Sequence, residues 1–479
     1  MIIIASIIMS TYYPVLGSMS DSDLVNASGQ IIPITQATIT VNEAVTIKNN
    51  ELQVALAMDN EWKSWQTDSV KKAFIQDANV KIVRIFDWKS YTLRPCTSWN
   101  EAAGTGTFNW AETDQTVQRL LEVGAEPLFC LGATSGGPQI PSGMAINPAT
   151  NLPYPDSFAK YAAEWVKHFK ATGANVKYYE IWNEAFTYFT WNVDYVKLQN
   201  LLDVWNACAI RMKQEDPTVK IGNDFTTRKR VLDYWILYGE DLDFLGFHKY
   251  DSQALSGTGY YTDAQLLQQA ETKLLDDLEG FYSIEGAKQV WFNARGTHIP
   301  CLGTEANLNS AWQTGTDPRM QYTVGAVWTG LMLRACAVKG VDYLFYFNFY
   351  SRSSINRPSG GIGYGLIDWD NNQPWYTYYV YRMIGKNLRL GDRIVESTTA
   401  STDIRTLAWV DNGKLNILII NKALDRRVIL FQNINGVFTY EKIDNSIPYN
   451  TPTLQTGSIT VQDGVVVNGY TVMLMQKPL

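Results

Sequence analysis

The chain has 479 residues, 46% of them apolar, enough to bury a sizeable core, which excludes a disordered tail or a disulfide-stapled miniprotein. Forty basic against 47 acidic side chains leave a net charge of −7, and no Lys/Arg block or basic helix is present, which argues against nucleic acid or an anionic membrane surface as partner. Charged residues make up only 18% while Trp, Tyr and Phe reach 13%, a balance suited to a neutral, polar partner.

The first nine residues, MIIIASIIM, are too few to span a bilayer. Followed by the small residues Gly17, Ser18 and Ser20, they read either as the remnant of a secretion signal or as an edge strand; the sequon Asn26-Ala27-Ser28 is compatible with secretion. An extracellular or cell-surface location is the expectation, with no membrane insertion. Residues 24–56 read as short strands, IIPITQATITV and AVTIKN. Strand and helix then alternate: strand 54–60 with helix 67–79, strand 80–88 with helix 110–124, strand 125–131 with helix 156–172, and strand 176–182 with helix 194–215. Strand 219–223 with helix 228–239, strand 242–250 with helix 263–279, strand 299–305 with helix 319–338, and strand 341–349 with helix 375–388 complete the series. Eight short, apolar strands each followed by a helix predict a parallel sheet closed into a (β/α)8 TIM barrel. Beyond about residue 390 the helical period is lost, and RTLAWV, KLNILII, RRVILF, GVFTYEKI, GSITVQ and YTVMLM are strands between DNG, NING and QDG turns. The expected organisation is therefore a barrel over 51–389 with an accessory β-sandwich composed of 1–50 and 390–479.

The five cysteines, Cys96, Cys130, Cys208, Cys301 and Cys336, are odd in number and show neither CxxC nor zinc-type spacing, so no metal site is predicted. Cys130 and Cys301 lie in apolar runs and read as small buried hydrophobes. SGGIGYG (359–365) lacks the following helix and Lys-Ser/Thr of a phosphate loop, and no cofactor is implied.

In a barrel, function belongs at the C-terminal ends of the strands. YYEIWNEAF (178–186) places Asn183 and Glu184 at the exit of the fourth strand, and LGTEANLN (302–309) places Glu305 at the exit of the seventh. Two carboxyl groups from opposite sides of one mouth are what acetal cleavage needs: one protonates the leaving oxygen, and the other attacks from ~5–5.5 Å or activates water from ~6.5–9.5 Å. Glu180 shares a face with Trp182 and Glu184 by the strand period of two, and reads as a structural partner of Arg84 in the barrel interior. Trp99, Trp191 and Trp312 fall in loops where their rings could stack on sugar faces, against core packing as the alternative.

These motifs resemble the clan A glycoside hydrolases, and within the clan family 39 and its relatives. The likeness runs through VRIFDW, FNWAETDQTVQRLLEVGAEPLF (108–129), WNEAF, FHKY, TEAN and GLIDWDNNQPW (365–375) and covers most of the chain. It implies a carbohydrate substrate, with Glu184 as general acid/base and Glu305 as nucleophile of a retaining hydrolase. It further implies Asn183 as donor to the sugar 2-hydroxyl, Arg84 as the residue orienting Glu305, and His248 and Tyr250 as subsite wall and hydrogen-bond partners. The chain departs from the pattern twice: Ala185 stands where Pro follows the acid/base, and the Trp expected near the end of the eighth strand is absent from YLFYFNFY (343–350), leaving Tyr346, Phe349, Tyr350 or Asn348 to face the ligand. The expected substrate is a neutral β-linked glycan, with β-1,4-glucan or xylan favoured, and exo or endo action would rest on whether loops such as GTGYY (257–261) and SSINRPSGG (353–361) close one end of the cleft. A noncatalytic carbohydrate-binding barrel and an inverting hydrolase are the alternatives.

Overall fold

In the computed structural model of the protein, the described residues are 35–58, 65–86, 94–133, 139–190, 192–272, 275–276, 280–311, 317–351, 364–368, 371–448, 451–462 and 464–479. The N-terminal apolar run, the sequon, Trp191, Trp312 and the segment 353–361 lie outside them. Contacts divide the chain into two units, Asn50–Gly391 and the residues up to Asn49 with Asp392–Leu479.

Eight parallel strands make the first unit a (β/α)8 barrel: β1 (Gln53–Met58), β2 (Ile82–Phe86), β3 (Glu126–Ala133), β4 (Tyr178–Asn183), β5 (Lys220–Gly222), β6 (Leu245–Ser252), β7 (Cys301–Asn309) and β8 (Tyr343–Phe347). They hydrogen-bond in the order β5-β4-β3-β2-β1-β8-β7-β6. The ring closes at a seam between β5 and β6. There Gly222 bridges Phe244, the Asp243 amide donates to Ile221 O at 2.9 Å, and the Asp243 carboxylate accepts the Ile221 amide at 2.9 Å. The seam leaves no room for a side chain at Gly246, whose Cβ would stand 1.9 Å from Asn223 O. Ala55, Ala57, Ile82, Leu128, Phe244, Leu302 and Phe345 fill the barrel floor, so polar residues nearer the C-terminal ends rest on a packed apolar layer.

Polar side chains at the turns start several of the surrounding helices. Asp68 caps Ser69–Asp77, Asp194 caps Tyr195–Glu215, and Thr262 with Gln265 forms a capping box on Asp263–Gln269. The expected helix 263–279 is therefore shorter, and a helix the periodicity did not reveal, Ile284–Arg295, precedes β7. The signals for it are local: Ser283 accepts the Gly286 amide, Glu285 sits in the first turn, and Gly296 ends the helix at φ 71°. All five cysteines are buried thiols, none of them in a disulfide. Among the described residues, no helix is long and apolar enough to cross a membrane.

The second unit is a nine-stranded, mainly antiparallel sheet. Thr35–Asn49 runs antiparallel to Arg393–Thr399, a strand not expected from the sequence, and parallel to Arg427–Gln432, so the early segment is stitched into the late one from both sides. The two short segments expected there form one strand with a register shift between Asn42 and Thr46. Ile39, Val41, Ile417, Ile419, Phe438, Val465 and Met475, from strands along the whole sheet, share one core.

Because the β5/β6 seam has no space for a methyl group, Gly246→Ala should destabilise the barrel by about 1–3 kcal/mol. Chemical denaturation of the variant against the parent checks this; equal stability would mean that the seam is loose.

Candidate functional site

At the C-terminal mouth of the barrel one cation gathers the polar residues. Arg84, on β2 and fully buried, donates from Nη1 to Glu305 Oε1 at 2.7 Å, from Nη2 to Asn183 Oδ1 at 2.6 Å and to Cys130 Sγ at 3.4 Å, and from Nε to Glu180. Its face also lies 4.6 Å over the Phe86 ring. The other oxygen of Glu180 accepts from Thr304 at 3.1 Å, which leaves this inner carboxylate fully engaged and away from solvent. Glu180 is thus the structural partner of Arg84.

Two local irregularities aim these side chains. On β4, Trp182 has φ 74° and Glu184 φ 49°, left-handed conformations that cost on the order of 1–3 kcal/mol each for a non-glycine residue. The first inverts the strand's alternation. Glu180 and Asn183, three residues apart, both reach Arg84, whereas the Trp182 ring packs 5.6 Å from Phe158 on helix Pro155–Thr172, against Gly132, where a Cβ would collide with it. The period-of-two placement of Glu180, Trp182 and Glu184 on one face is therefore corrected. On β7 the register with β6 slips by one residue, pairing Phe247 with Gly303 but His248 with Glu305. Thr304 is the extra residue, so it and Glu305 both face the interior. The strand continues to Asn309, and Glu305 lies within it rather than at its exit.

Glu305 accepts from Tyr250 Oη at 2.7 Å as well as from Arg84, and its side chain is 8% exposed. Burial opposes its charge, but His248, Arg84 and the two donated hydrogen bonds outweigh burial and hold its carboxyl below the usual range. Burial and the neighbouring Glu305 push the Tyr250 phenol well up, so it stays a neutral donor. Glu184 is more open, with its side chain 30% exposed. His248 joins the two: its Nδ1 lies 3.2 Å from Glu184 Oε1 and 3.6 Å from Glu305 Oε2, and these three groups offer atoms all within 4.8 Å of one another. Burial disfavours the imidazolium, yet Glu305, Asp224 and Glu184 together raise the His248 pKa to about 9.

Asp224, two residues past β5, was not singled out in the sequence. It accepts the Glu184 amide at 2.6 Å and stands 3.2 Å from His248 Nε2. Its only sequence signal is its place just past VKIGN, at a strand's C-terminal end. Tyr364, in the glycine-rich run that does not fit a phosphate loop, likewise carries no sequence signal of its own. Its ring meets Phe347 edge-on at 5.7 Å, and burial and then the charge of Glu305 raise its phenol pKa.

The remaining expected residues divide. Asn348 is 6% exposed, and its Oδ1 is buried with no hydrogen-bond partner among the described residues. Tyr346 turns away from the mouth, 5.8 Å from Tyr381 on the last barrel helix. Trp99 is corrected as a sugar platform: it is 5% exposed, edge-on to Tyr161, with its indole N–H donating to Glu101 at 3.1 Å, so its faces serve packing. Trp191 and Trp312 fall outside the described residues. In the 257–261 loop, Tyr260 is 38% exposed and lies over Arg319, which anchors the loop through Tyr261 O at 2.7 Å.

Two sets of donors, Glu180 with Asp224 and His248, and Glu184 with His248 and Glu305, are close enough to suggest a metal. A metal would need free carboxylate oxygens, whereas Arg84 already engages Glu180 and Glu305 and Tyr250 donates to the other oxygen of Glu305.

No protein-family model and no curated protein matches the chain. Solved structures do. A GH39 enzyme from Xanthomonas axonopodis pv. citri aligns over 94% of this chain and 98% of its own at TM-score 0.62 and 15% identity. An alpha-L-arabinofuranosidase from Thermotoga maritima aligns over 93% and 100% at 0.62 and 13%. CelM2, a bifunctional glucanase-xylanase from a metagenome library, aligns over 93% and 100% at 0.58 and 14%. The chain shares the fold of these glycoside hydrolases across barrel and β unit alike.

Removing the guanidinium would leave buried carboxylates uncompensated, so Arg84→Met should cost about 3–5 kcal/mol in denaturant unfolding. Linkage supplies a second expectation. The folded state raises the His248 pKa from 6.5 to about 9, a stabilisation complete below 6.5 and lost as pH rises through 9. Burial raises Asp224 from 3.8 to about 7, so the folded state again retains a proton that the unfolded chain releases, and stability falls with rising pH across that lower window. The thermal midpoint should decline toward alkaline pH, and His248→Gln should flatten the slope between 6.5 and about 9; an unchanged slope would refute the charged imidazole.

Proposed function

We propose that this protein is a retaining glycoside hydrolase acting on a neutral β-linked glycan. The observation that carries the proposal is the pair Glu184 and Glu305, which present carboxylate oxygens within 4.8 Å across one barrel mouth, in environments that differ. Glu305 is held ionised and pointed by Arg84 and Tyr250, which suits a nucleophile; Glu184 is the more open of the two, as a group that must exchange a proton with a leaving oxygen and then with water needs to be. An approach of that order between the nearest oxygens is compatible with the ~5–5.5 Å between carboxyl groups of retaining enzymes, against the ~6.5–9.5 Å that admits a water.

In the first step a Glu305 oxygen bonds to the anomeric carbon as the glycosidic C–O bond breaks and Glu184 gives its proton to the departing oxygen. In the second, water adds to the same carbon, its proton passes to Glu184, and the Glu305 ester is released as carboxylate. Asn183, held by Arg84 through its oxygen, keeps its amide N–H groups for a sugar hydroxyl. The neutral acceptors and donors beyond the carboxylates, Asn348 and Tyr364, suit hydroxyl groups rather than a charged sugar. The glucanase-xylanase among the structural neighbours supports β-1,4-glucan or xylan as first substrates to test, and action on such a polymer would call for an enzyme outside the cell or at its surface.

A 2-deoxy-2-fluoro glycoside should label Glu305, located by peptide mass. Glu305→Ala should lose on the order of 10³-fold or more in kcat/KM, and Glu184→Ala should lose as much on natural glycans while recovering with azide on an activated aryl glycoside. Retained turnover in Glu305→Ala, or inverted product stereochemistry, would refute the assignment; inactivity of the parent on a broad glycan panel would favour a noncatalytic carbohydrate-binding role.

A further inference from the structure

Asp224 has three properties that an ordinary strand-end carboxylate lacks. It is 4% exposed, its Oδ2 accepts the amide of Glu184 at 2.6 Å, and the same oxygen stands 3.2 Å from Nε2 of His248. Its second oxygen, Oδ1, is buried without a hydrogen-bond partner among the described residues. The opposite side of the imidazole ring, Nδ1, lies between Glu184 and Glu305. One side chain therefore touches both the backbone that aims one glutamate and the ring that bridges the two.

We propose, resting on the hydrolase reading above, that Asp224 is a positioning residue of this site: it pins the left-handed backbone of Glu184 and keeps His248 as a cationic bridge between the two glutamates. The left-handed turn at Glu184 needs such a clamp, because an unheld residue would relax to an ordinary strand or helix conformation and swing its carboxyl off the mouth. The bridge needs a counter-charge, because a buried imidazolium without adjacent anions would give up its proton. The groups that face Asp224 are His248 from β6, Glu180 from β4, Arg84 from β2 and Arg228 from the turn after β5. Of these, His248 alone reaches both proposed catalytic carboxylates. His248 in turn faces Glu305, Asp224, Glu184 and Arg84. With the ring charged, Glu305 stays ionised for attack, and a displacement of the ring is felt at both glutamates together.

Asp224→Asn tests this with little change of shape, since the amide oxygen can still accept from Glu184 while the negative charge that Asp224 carries above about pH 7, the range in which His248 titrates, is gone. The chain has only three histidines, so the ring of His248 can be followed by NMR of ring-labelled protein and assigned with His248→Gln. In Asp224→Asn its titration midpoint should fall by at least about one pH unit. On an aryl glycoside kcat should fall about tenfold or more with KM within about twofold, the pattern of a group that matters in the transition state. A His248 midpoint that stays put while the variant melts like the parent would overturn the proposal, and a lowered melting temperature with an unmoved midpoint would reduce Asp224 to a scaffold residue. The NMR measurement needs no turnover. If the midpoint shifts but neither protein hydrolyses any glycoside, the clamp stands and the hydrolase reading fails.

Discussion

The fully buried guanidinium of Arg84 is the centre on which the upper half of the barrel depends. Stripped of water, it must be met by anions and acceptors on nearly every side, and it finds them on three other strands: Glu180 and Asn183 on β4, Glu305 on β7 and Cys130 on β3. A planar fork with five donors can hold several partners in fixed directions at once, which an ammonium group on a flexible stem would not do. The same contacts that neutralise the buried charge thereby set the position and ionisation of Glu305.

Around that centre the site departs from ideal strand geometry twice, and both departures concern its carboxylates. A left-handed residue at Trp182 reverses the alternation of β4, and an extra residue at Thr304 does the same for β7. Each departure lets two near-neighbours in sequence, Glu180 with Asn183 and Thr304 with Glu305, serve the same interior. The cost in backbone strain is offset by the packed layer beneath, by the Trp182 ring seated against Gly132, and by the Asp224 contact with the Glu184 amide. A regular strand would present only every second residue to the mouth and would separate Asn183 from Arg84.

Much of this was legible in the sequence. The alternation of apolar strands with capped helices led to the barrel, and the loss of helical period near residue 390 led to the β unit. WNE and TE at strand ends pointed to Glu184 and Glu305, and the pairing of Glu180 with Arg84 followed from an inward carboxylate needing a cation. Other residues left no such trace. Asp224 sits in an unremarkable strand end, and nothing in GND distinguishes a clamp from a cap. Trp99 reads as a loop aromatic until Tyr161 and Glu101 are seen to enclose it. The helix Ile284–Arg295 was missed because its apolar face is narrow, with only Ile284, Ala287 and Trp291 buried.

The sequence by itself determined the kind of residues available and their order along the chain, since periodicity and capping act over a few residues and can be read locally. It also determined that two acids would arrive at one mouth, because a closed ring of eight parallel strands leaves their C-terminal ends no other place. Only the tertiary structure decided which way those acids point. Side-chain direction at a strand end depends on a single dihedral or a single extra residue, and those are set by the fit against Phe158, Gly132 and the neighbouring strand. It also decided the company each acid keeps, because the fields of His248, Arg84 and Asp224 act across strands that lie far apart in the chain and meet only when the barrel closes.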